Sequence, residues 1–351
     1  MTFIAYLCRM ESTNRFPYRL LFIGLGLFLT VASSAQDSID YRPQIHGTLR
    51  GKYEYQTQDE AGRFEVRTAR VSVTGQITRD IDYKAEIDLC DEGTIKMLDA
   101  YARVKPVRNL RFTIGQMRVP FTIDAHRSPH EQYFANRSFI AKQVGNIRDV
   151  GAMIGYDFNM GVPARIEAGL FNGSGLTGQK DYWTKGINFS AKAQFFLSKN
   201  LTMQLSAQKI KPDSVGIMMY DGGFTWKSGR FLAEAEYLYK VYAHNKYKDV
   251  HSVDVFANYD IPIRKRLLNK VSPLVRYDFM SDHSDGIRNS AGLLYTTDYQ
   301  RHRITAGATL SIAAPFTADL RLNYEKYFYR HDGIPKTSEK DKIVAELMVH
   351  F

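Results

Sequence analysis

The sequence predicts an all-β fold: a transmembrane antiparallel β-barrel of about sixteen strands, within a range of about fourteen to eighteen. Three observations predict it. Beyond the N-terminal segment, no apolar run reaches the ~18 residues that a spanning helix needs. Hydrophobicity recurs instead with a period of two. Tight and long polar breaks alternate along the chain, as the turns and loops of a barrel do.

The N-terminus stands outside this pattern. Arg9, Arg15 and Arg19 give a positive start, Leu20 to Val31 an apolar run, and Ser33-Ser34-Ala35 the small residues of a cleavage site before Gln36. That combination reads as a secretion signal over residues 1–35, with the barrel over residues 36–351. A membrane anchor is the alternative, but no basic stop-transfer flank follows the run, and no Cys follows it to carry a lipid. Cleavage removes Cys8 and leaves Cys90 alone, so no internal disulfide is expected.

The alternation is explicit in five segments. Ile45, Gly47, Leu49, Gly51, Tyr53 and Tyr55 alternate with Gln44, His46, Thr48, Arg50, Lys52 and Glu54. Ile81, Tyr83, Ala85, Ile87 and Leu89 alternate with Asp82, Lys84, Glu86 and Asp88. Ile187 to Leu197, Phe231 to Val241 and Ile343 to Phe351 repeat the pattern. Successive strand side chains point to opposite faces, so each segment has one apolar and one polar face. Mean hydropathy is −0.33, too polar for a bundle of membrane helices. The 22 Tyr and 21 Phe gather near segment ends, as in an aromatic girdle. The net charge of +10 is spread between apolar residues and forms no run, which argues for a charged interior and against a nucleic-acid surface. A soluble sandwich would need a domain boundary, and none is visible.

The breaks set the strand count. Tight ones fall near Arg79-Asp80, Val107-Asn109, Asn159-Gly161, Lys199-Asn200, Ser228-Gly229, Pro262-Asn269 and Ala314-Pro315. Longer polar stretches fall near Gln58-Gly62, Asp91-Thr94, Arg118-Arg148, Asn172-Trp183, Lys211-Gly216, Ala243-Val250, Ser281-Arg301 and His331-Asp341. The two sets alternate and imply sixteen strands, with both termini on the short-turn side. Gly216 to Trp226 and Asn289 to Tyr295 are the segments whose assignment the pattern leaves open. In the last strand, Leu347 is expected to face lipid and Glu346 the wet interior. On that parity Leu347→Arg should cost ~2–4 kcal/mol, whereas Glu346→Gln should leave folding nearly unchanged.

From Asp99 to Gly175 the sequence resembles the phosphate-selective porin O and P family. The residues that carry the resemblance are Asp99-Ala-Tyr-Ala-Arg103, Gly115-Gln-Met-Arg-Val-Pro-Phe121, Asn136-Arg-Ser138, Arg148-Asp-Val-Gly151 and Leu170-Phe-Asn-Gly-Ser-Gly175. Weaker similarity in Phe64 to Gly75 and Pro273 to Tyr277 extends it over most of the chain, and the terminal Phe351 fits the wider barrel habit. The resemblance implies a sixteen-stranded porin, usually trimeric, with the third loop folded into the lumen and passive diffusion of small solutes as the function. Implied partners are outer-membrane lipid, lipopolysaccharide, small anionic solutes and further copies in a homotrimer. No nucleotide or redox motif is present and no cofactor is expected.

Arg67, Arg70, Arg103, Arg111, Arg118, Arg137, Lys142 and Arg148 lie on or beside the strands around the third loop. One reading is an anion path, because guanidinium and ammonium groups attract anions and guanidinium matches phosphate oxygens. The other is lumen salt bridging, together with contacts to lipopolysaccharide phosphates. The inward face mixes Arg50, Lys52, Arg70 and Arg103 with Asp82, Glu86, Asp88, Glu234 and Glu236. A general porin, a plugged adhesion barrel and a barrel enzyme therefore stay open as alternatives. Phe121, Tyr133, Phe134 and Phe139 give the long loop apolar anchors, and Pro120 and Pro129 stiffen it. On this reading, exchanging Arg137 and Lys142 for Glu lowers anion preference with little effect on stability. His126, His130 and Glu131 have a metal-like spacing only on a helix, which Pro129 opposes. Asp282, Asp285 and Gly286 lack the Glu that closes a calcium loop; position 293 is Leu. Ser128 beside these His has no third orienting group, so no catalytic constellation is formed.

Overall fold

The computed structural model describes residues 40–351 except 92, 144–147, 177, 214, 264, 266, 313–316 and 332–336, so the expected signal over residues 1–35 lies outside the described residues. Alternating sequence becomes strand throughout. The first half holds β1 (Gln44–Gln56), β2 (Ala61–Thr78), β3 (Ile81–Asp91), β4 (Thr94–Val107), β5 (Leu110–Arg118), β6 (Arg148–Asn159), β7 (Pro163–Phe171) and β8 (Asn188–Phe196). The second holds β9 (Leu201–Ile210), β10 (Ile217–Ser228), β11 (Phe231–Tyr242), β12 (Val250–Tyr259), β13 (Ile261–Pro262), β14 (Lys270–Met280), β15 (Arg301–Ile312), β16 (Thr317–Tyr329) and β17 (Lys342–His350). Strands adjacent in sequence pair antiparallel, and the two-residue β13 prolongs the pairing of β12 with β14. Sixteen strands thus form the wall. The segment Gly216 to Trp226 falls in β10, and Asn289 to Tyr295 falls in the connection after β14.

β1 and β17 close the sheet in a register running from Thr48 opposite His350 to Gln56 opposite Lys342. Closure is a physical requirement in lipid, where an open edge leaves backbone N–H and C=O groups unsatisfied. On β1, Thr48, Arg50, Lys52 and Glu54 are buried inside while Leu49 and Tyr53 are exposed on the outer face. On β17, Glu346 is 0% exposed and Leu347 52%, so the parity read from the sequence is that of the barrel. A bulge in the β1–β2 pairing at Arg50/Gly51 skips the register from Thr68 to Val66.

The connections after Gln56 and Asp91 are as tight as the turns on the other rim, although the sequence pattern groups them with the long loops. The third connection is long. It contains 3₁₀ turns at Asp124–His126 and Pro129–Glu131 and a short helix at Phe139–Gln143. Its apolar residues form two clusters with inward-facing strand residues. Val119, Phe121, Phe139 and Ile140 pack with Phe171, Ile217, Met219, Leu238, Tyr242, Val250 and Met280. Phe134 packs with Leu232, Phe256 and Leu274. These contacts bury apolar surface in the barrel interior, at roughly 25 cal/mol per Å² removed from water.

Candidate functional site

The loop is seated by hydrogen bonds to the wall. At its entrance Gly115 has φ +128°, and a Cβ there would lie 2.2 Å from the Ala100 carbonyl oxygen, so only glycine permits this approach of β5 to β4. Beyond it, Ser190 Oγ donates to the Pro120 carbonyl at 2.8 Å. The backbone N–H groups of Ile123 and Asp124 donate to the Glu236 carboxylate. Arg127 pairs with Glu234. Farther along, the Ala135 N–H donates to Asn323 Oδ1 at 2.9 Å. Three wall guanidiniums then take successive loop carbonyls: Arg50 to Ala135 at 2.7 Å, Arg276 to Asn136 at 3.0 Å and Arg303 to Arg137 at 2.7 Å. Arg321 approaches the Pro129 carbonyl at 3.5 Å. Arginine suits this task because its fork can hold a carboxylate and a carbonyl together. Arg50 and Arg321 both hold Glu346, and Arg276 and Arg303 both hold Asp278.

Inside the loop, Asp124 accepts from Ser138 N at 3.0 Å and Ser138 Oγ at 2.9 Å. Burial alone would raise its carboxyl, but Arg137, Arg127 and Arg276 outweigh burial and hold it at about 2. Arg137 donates to the carbonyls of Asp124 and Arg127. Burial lowers its guanidinium to about 9, against the pull of Asp124, so it stays charged at neutral pH. Arg137 therefore ties the two arms of the loop together.

Among the described residues, loop hydrogen bonds reach β1, β5, β8, β9, β11, β14, β15 and β16 and none reaches β2, β3 or β4. That arc carries paired charges. Asp82 serves both Lys105 at 2.6 Å and Arg103 at 3.8 Å. Asp91 serves both Lys96 at 2.8 Å and Arg67 at 3.4 Å. Next to the arc, Asp157 serves both Arg111 and Arg165. One carboxylate cannot neutralise two cations, so the Asp82 and Asp157 sites each keep a residual positive charge. Deeper in the wall, Arg70, Lys84 and Arg148 interlock with Glu86, Asp88 and Asp99, three cations against three acids.

The sequence-derived set thus divides. Arg67 and Arg103 lie on the open arc and are partly exposed. Arg70 and Arg148 belong to the interlocked network; Arg148 meets Asp99 at 2.7 Å and Glu86 at 3.0 Å. Arg118 donates to the His126 carbonyl at the loop entrance. Arg137 is internal to the loop, and Lys142 pairs with Glu339 of the last loop at 3.0 Å. His126 and His130 do not converge: His126 Nε2 lies 2.6 Å from the Val119 carbonyl oxygen, and His130 stacks on His350. Among the described residues, no group of three or more His, Cys, Asp or Glu is placed to hold a metal. Sequence reasoning missed Arg276, Arg303 and Arg321. It also missed the inward apolar residues, whose signal is an apolar doublet breaking the alternation: Tyr237-Leu238, Val255-Phe256, Leu274-Val275 and Phe279-Met280.

A closed barrel with lipid-facing apolar residues, a charged interior and a loop seated inside it defines an outer-membrane channel. The family model for phosphate-selective porin O and P matches residues 40–216, and the chain belongs to that family. Solved outer-membrane proteins share the fold at low identity. OprB of Pseudomonas putida is similar with a TM-score of 0.62 and 11% identity, over 89% of this chain and 94% of that one. An anion-selective porin from Comamonas acidovorans gives 0.60 and 10%, over 88% and 98%. OmpT of Vibrio cholerae, in its trimer form, gives 0.58 and 12%, over 88% and 98%. No curated protein matches the sequence.

Proposed function

We propose that this outer-membrane channel passes small anions, phosphate among them, down their gradient, and that it works as a homotrimer after residues 1–35 are removed. The observation that carries the reading is the shared carboxylates. Asp82, on the side of the lumen where no described loop hydrogen bond is made, and Asp157, next to it, each face two cations, which leaves positive charge there. Fixed positive charge in a narrow, poorly solvated passage favours anions and opposes cations. The description of the matched family and the anion-selective porin of like fold support this reading, and the trimer form of the Vibrio cholerae protein supports the assembly. Diffusion down a gradient needs no catalytic residue.

Reversal potential in a potassium chloride gradient across a planar bilayer tests it. A potential near the chloride equilibrium value is the expected result. A value near zero would favour a general porin, and the absence of conductance a plugged barrel. N-terminal sequencing of the membrane-extracted protein and its native mass check cleavage and trimerisation.

A further inference from the structure

The seventh loop, residues 281–300 between β14 and β15, bends into the outer mouth and lies against β11. Lys240 and Tyr242 face inward at the long-loop end of β11, and both donate to the Ser284 carbonyl, Lys240 at 3.0 Å. The Ser284 N–H in turn donates to Tyr242 Oη at 3.2 Å. His283 and Ser284 are buried there, at 3% and 0% exposed. Elsewhere the segment is held by partly exposed contacts: Lys248 pairs with Asp282, and Tyr247 Oη meets Thr296 Oγ1 at 2.7 Å.

The join rests on one pair of nitrogens. Lys240 Nζ lies 2.8 Å from His283 Nε2. An ammonium has no acceptor, so Nε2 offers its lone pair, and Nδ1 carries the ring proton toward Asp298 Oδ2, 3.3 Å away. Between the two facing nitrogens there is thus room for one proton on the line that joins them. A second proton puts two cationic donors face to face in a buried site, which charge repulsion and burial both oppose. Among the described residues, the charged or titratable groups around the pair are Tyr242 on β11, Asp285 and Asp298 of the loop itself, and Arg301 on β15. Asp298 does not rescue the doubly charged state, because Arg301 Nη2 already holds it at 3.3 Å. Burial lowers the imidazole below 6.5 against the pull of Asp298, and Lys240 lowers it further.

We propose that Lys240 and His283 form a proton-operated latch that holds the seventh loop to the wall at neutral pH and lets it go in acid. The sign follows from the geometry. The free loop takes up a proton that the held loop refuses, so holding is fully present above 6.5 and is lost as pH falls from there through the lowered value. β11 stands eight strands from β3 in the sixteen-stranded ring, so the held loop lies across the mouth from the open arc. Once let go, the loop reaches over the mouth and closes it. The latch adds gating to the channel and does not depend on anion preference.

Hydrogen exchange on the purified, folded protein in detergent tests the latch. Protection factors of backbone amides 282–298 should fall by up to about tenfold per pH unit between about pH 6.5 and pH 5, since release takes up one proton. His283→Gln offers Lys240 an amide oxygen and does not titrate, so the fall should vanish. Lys240→Gln puts an acceptor where the ammonium stood, so the held loop accepts the proton and the fall should vanish there too. In planar bilayers, closures of the parent channel should become more frequent over the same pH range, by up to about tenfold per unit, and stay at their neutral frequency in both variants. No fall in the parent, or a fall that persists in His283→Gln, overturns the latch. A full fall in Lys240→Gln overturns the pairing with Lys240. Acid closures of equal frequency in the parent and His283→Gln overturn the gating. Reversal potential at neutral pH, where the loop is held, reports anion preference separately, so either reading can fail while the other stands.

Discussion

The carboxylate of Asp149, at the start of β6, accepts a hydrogen bond from the backbone N–H of Gly173 at 2.6 Å. It also accepts from the N–H of Gly175 at 3.2 Å, and so pins the fourth loop to the strand that leaves the third. Two of the motifs that resemble the porin family, Arg148-Asp-Val-Gly151 and Leu170 to Gly175, are therefore one structural unit. Gly173 has φ +87°, and a Cβ there would lie 2.3 Å from Asn188 Nδ2, so the turn requires glycine. Asp149→Ala should cost ~1–3 kcal/mol, since the donors lose their acceptor, and Asp149→Asn should cost less. Urea midpoints of folded protein in detergent check this; equal midpoints for the Ala and Asn variants would sink it.

Leu347 and Glu346 test the closing strand. Leu347→Arg should cost ~2–4 kcal/mol at mid-membrane depth. Glu346→Gln now carries an expectation different from the one the sequence offers. Glu346 is fully buried between Arg50 at 2.5 Å and Arg321 at 2.8 Å, and both guanidiniums also approach loop carbonyls. Removing its charge leaves two buried cations short of a partner, at about 3–5 kcal/mol for a broken buried pair. Refolding yields in lipid vesicles should fall for both variants, and a normal yield for Glu346→Gln would show that the loop does not dry this region.

That contrast marks where the sequence was legible. Period-two alternation fixed which residues of β1, β3, β8, β11 and β17 face inward, because a strand has only two faces. It could not say whether an inward position is wet. Glu346 and Arg50 read as lumen residues like any other, and only the loop above them makes them core. Cross-strand sharing was equally hidden: Asp82 meets Arg103 and Lys105 because β3 and β4 pair in a particular register. The inward apolar doublets on β11, β12 and β14 are visible in the sequence, but nothing in the alternation itself marks them as a footprint for Phe134, Phe139 and Ile140.

His130 gives the loop a dependence on pH. Its ring stacks on His350 with centroids 3.9 Å apart and planes 10° from parallel, and His46 of β1 lies on the same stack at 6.4 Å from His350. His350, Glu131, Arg118 and Arg321 are the charged or titratable groups that act on it. Burial, and then His350, lowers the imidazole below the usual 6.5. The folded state thus takes up a proton less readily than the unfolded one, so stability rises with pH and is lost as pH falls below 6.5. His126, pushed well below the same value by burial, acts in the same direction. Protection factors of backbone amides 124–137, which remove the intrinsic pH dependence of exchange, should fall between about pH 7.5 and pH 5, and His130→Gln should reduce that fall. An unchanged pH dependence in the variant would rule out the stack as its source.

The selectivity variants follow from which cations are already committed. Arg137 donates to two loop carbonyls and Lys142 pairs with Glu339, so exchanging both for Glu should loosen the loop as well as alter charge. Each carbonyl or carboxylate left without its donor costs about 1–3 kcal/mol where it is buried. The small stability effect expected from sequence does not apply to that pair. Arg148 is a poor target for a related reason, because its loss leaves Asp99 and Glu86 short of a buried cation. Arg103 and Lys105 are different: they are partly exposed, stand on the open arc and share one acid. Exchanging both for Gln turns a site with one surplus positive charge into a bare Asp82 carboxylate. Local charge changes sign where the loop makes no described hydrogen bond, while the barrel keeps its packing. Reversal potential should therefore move clearly toward the cation side in the Arg103→Gln, Lys105→Gln variant, with its urea midpoint close to that of the parent. An unmoved reversal potential would mean that solutes do not pass along β3 and β4, whatever the channel prefers.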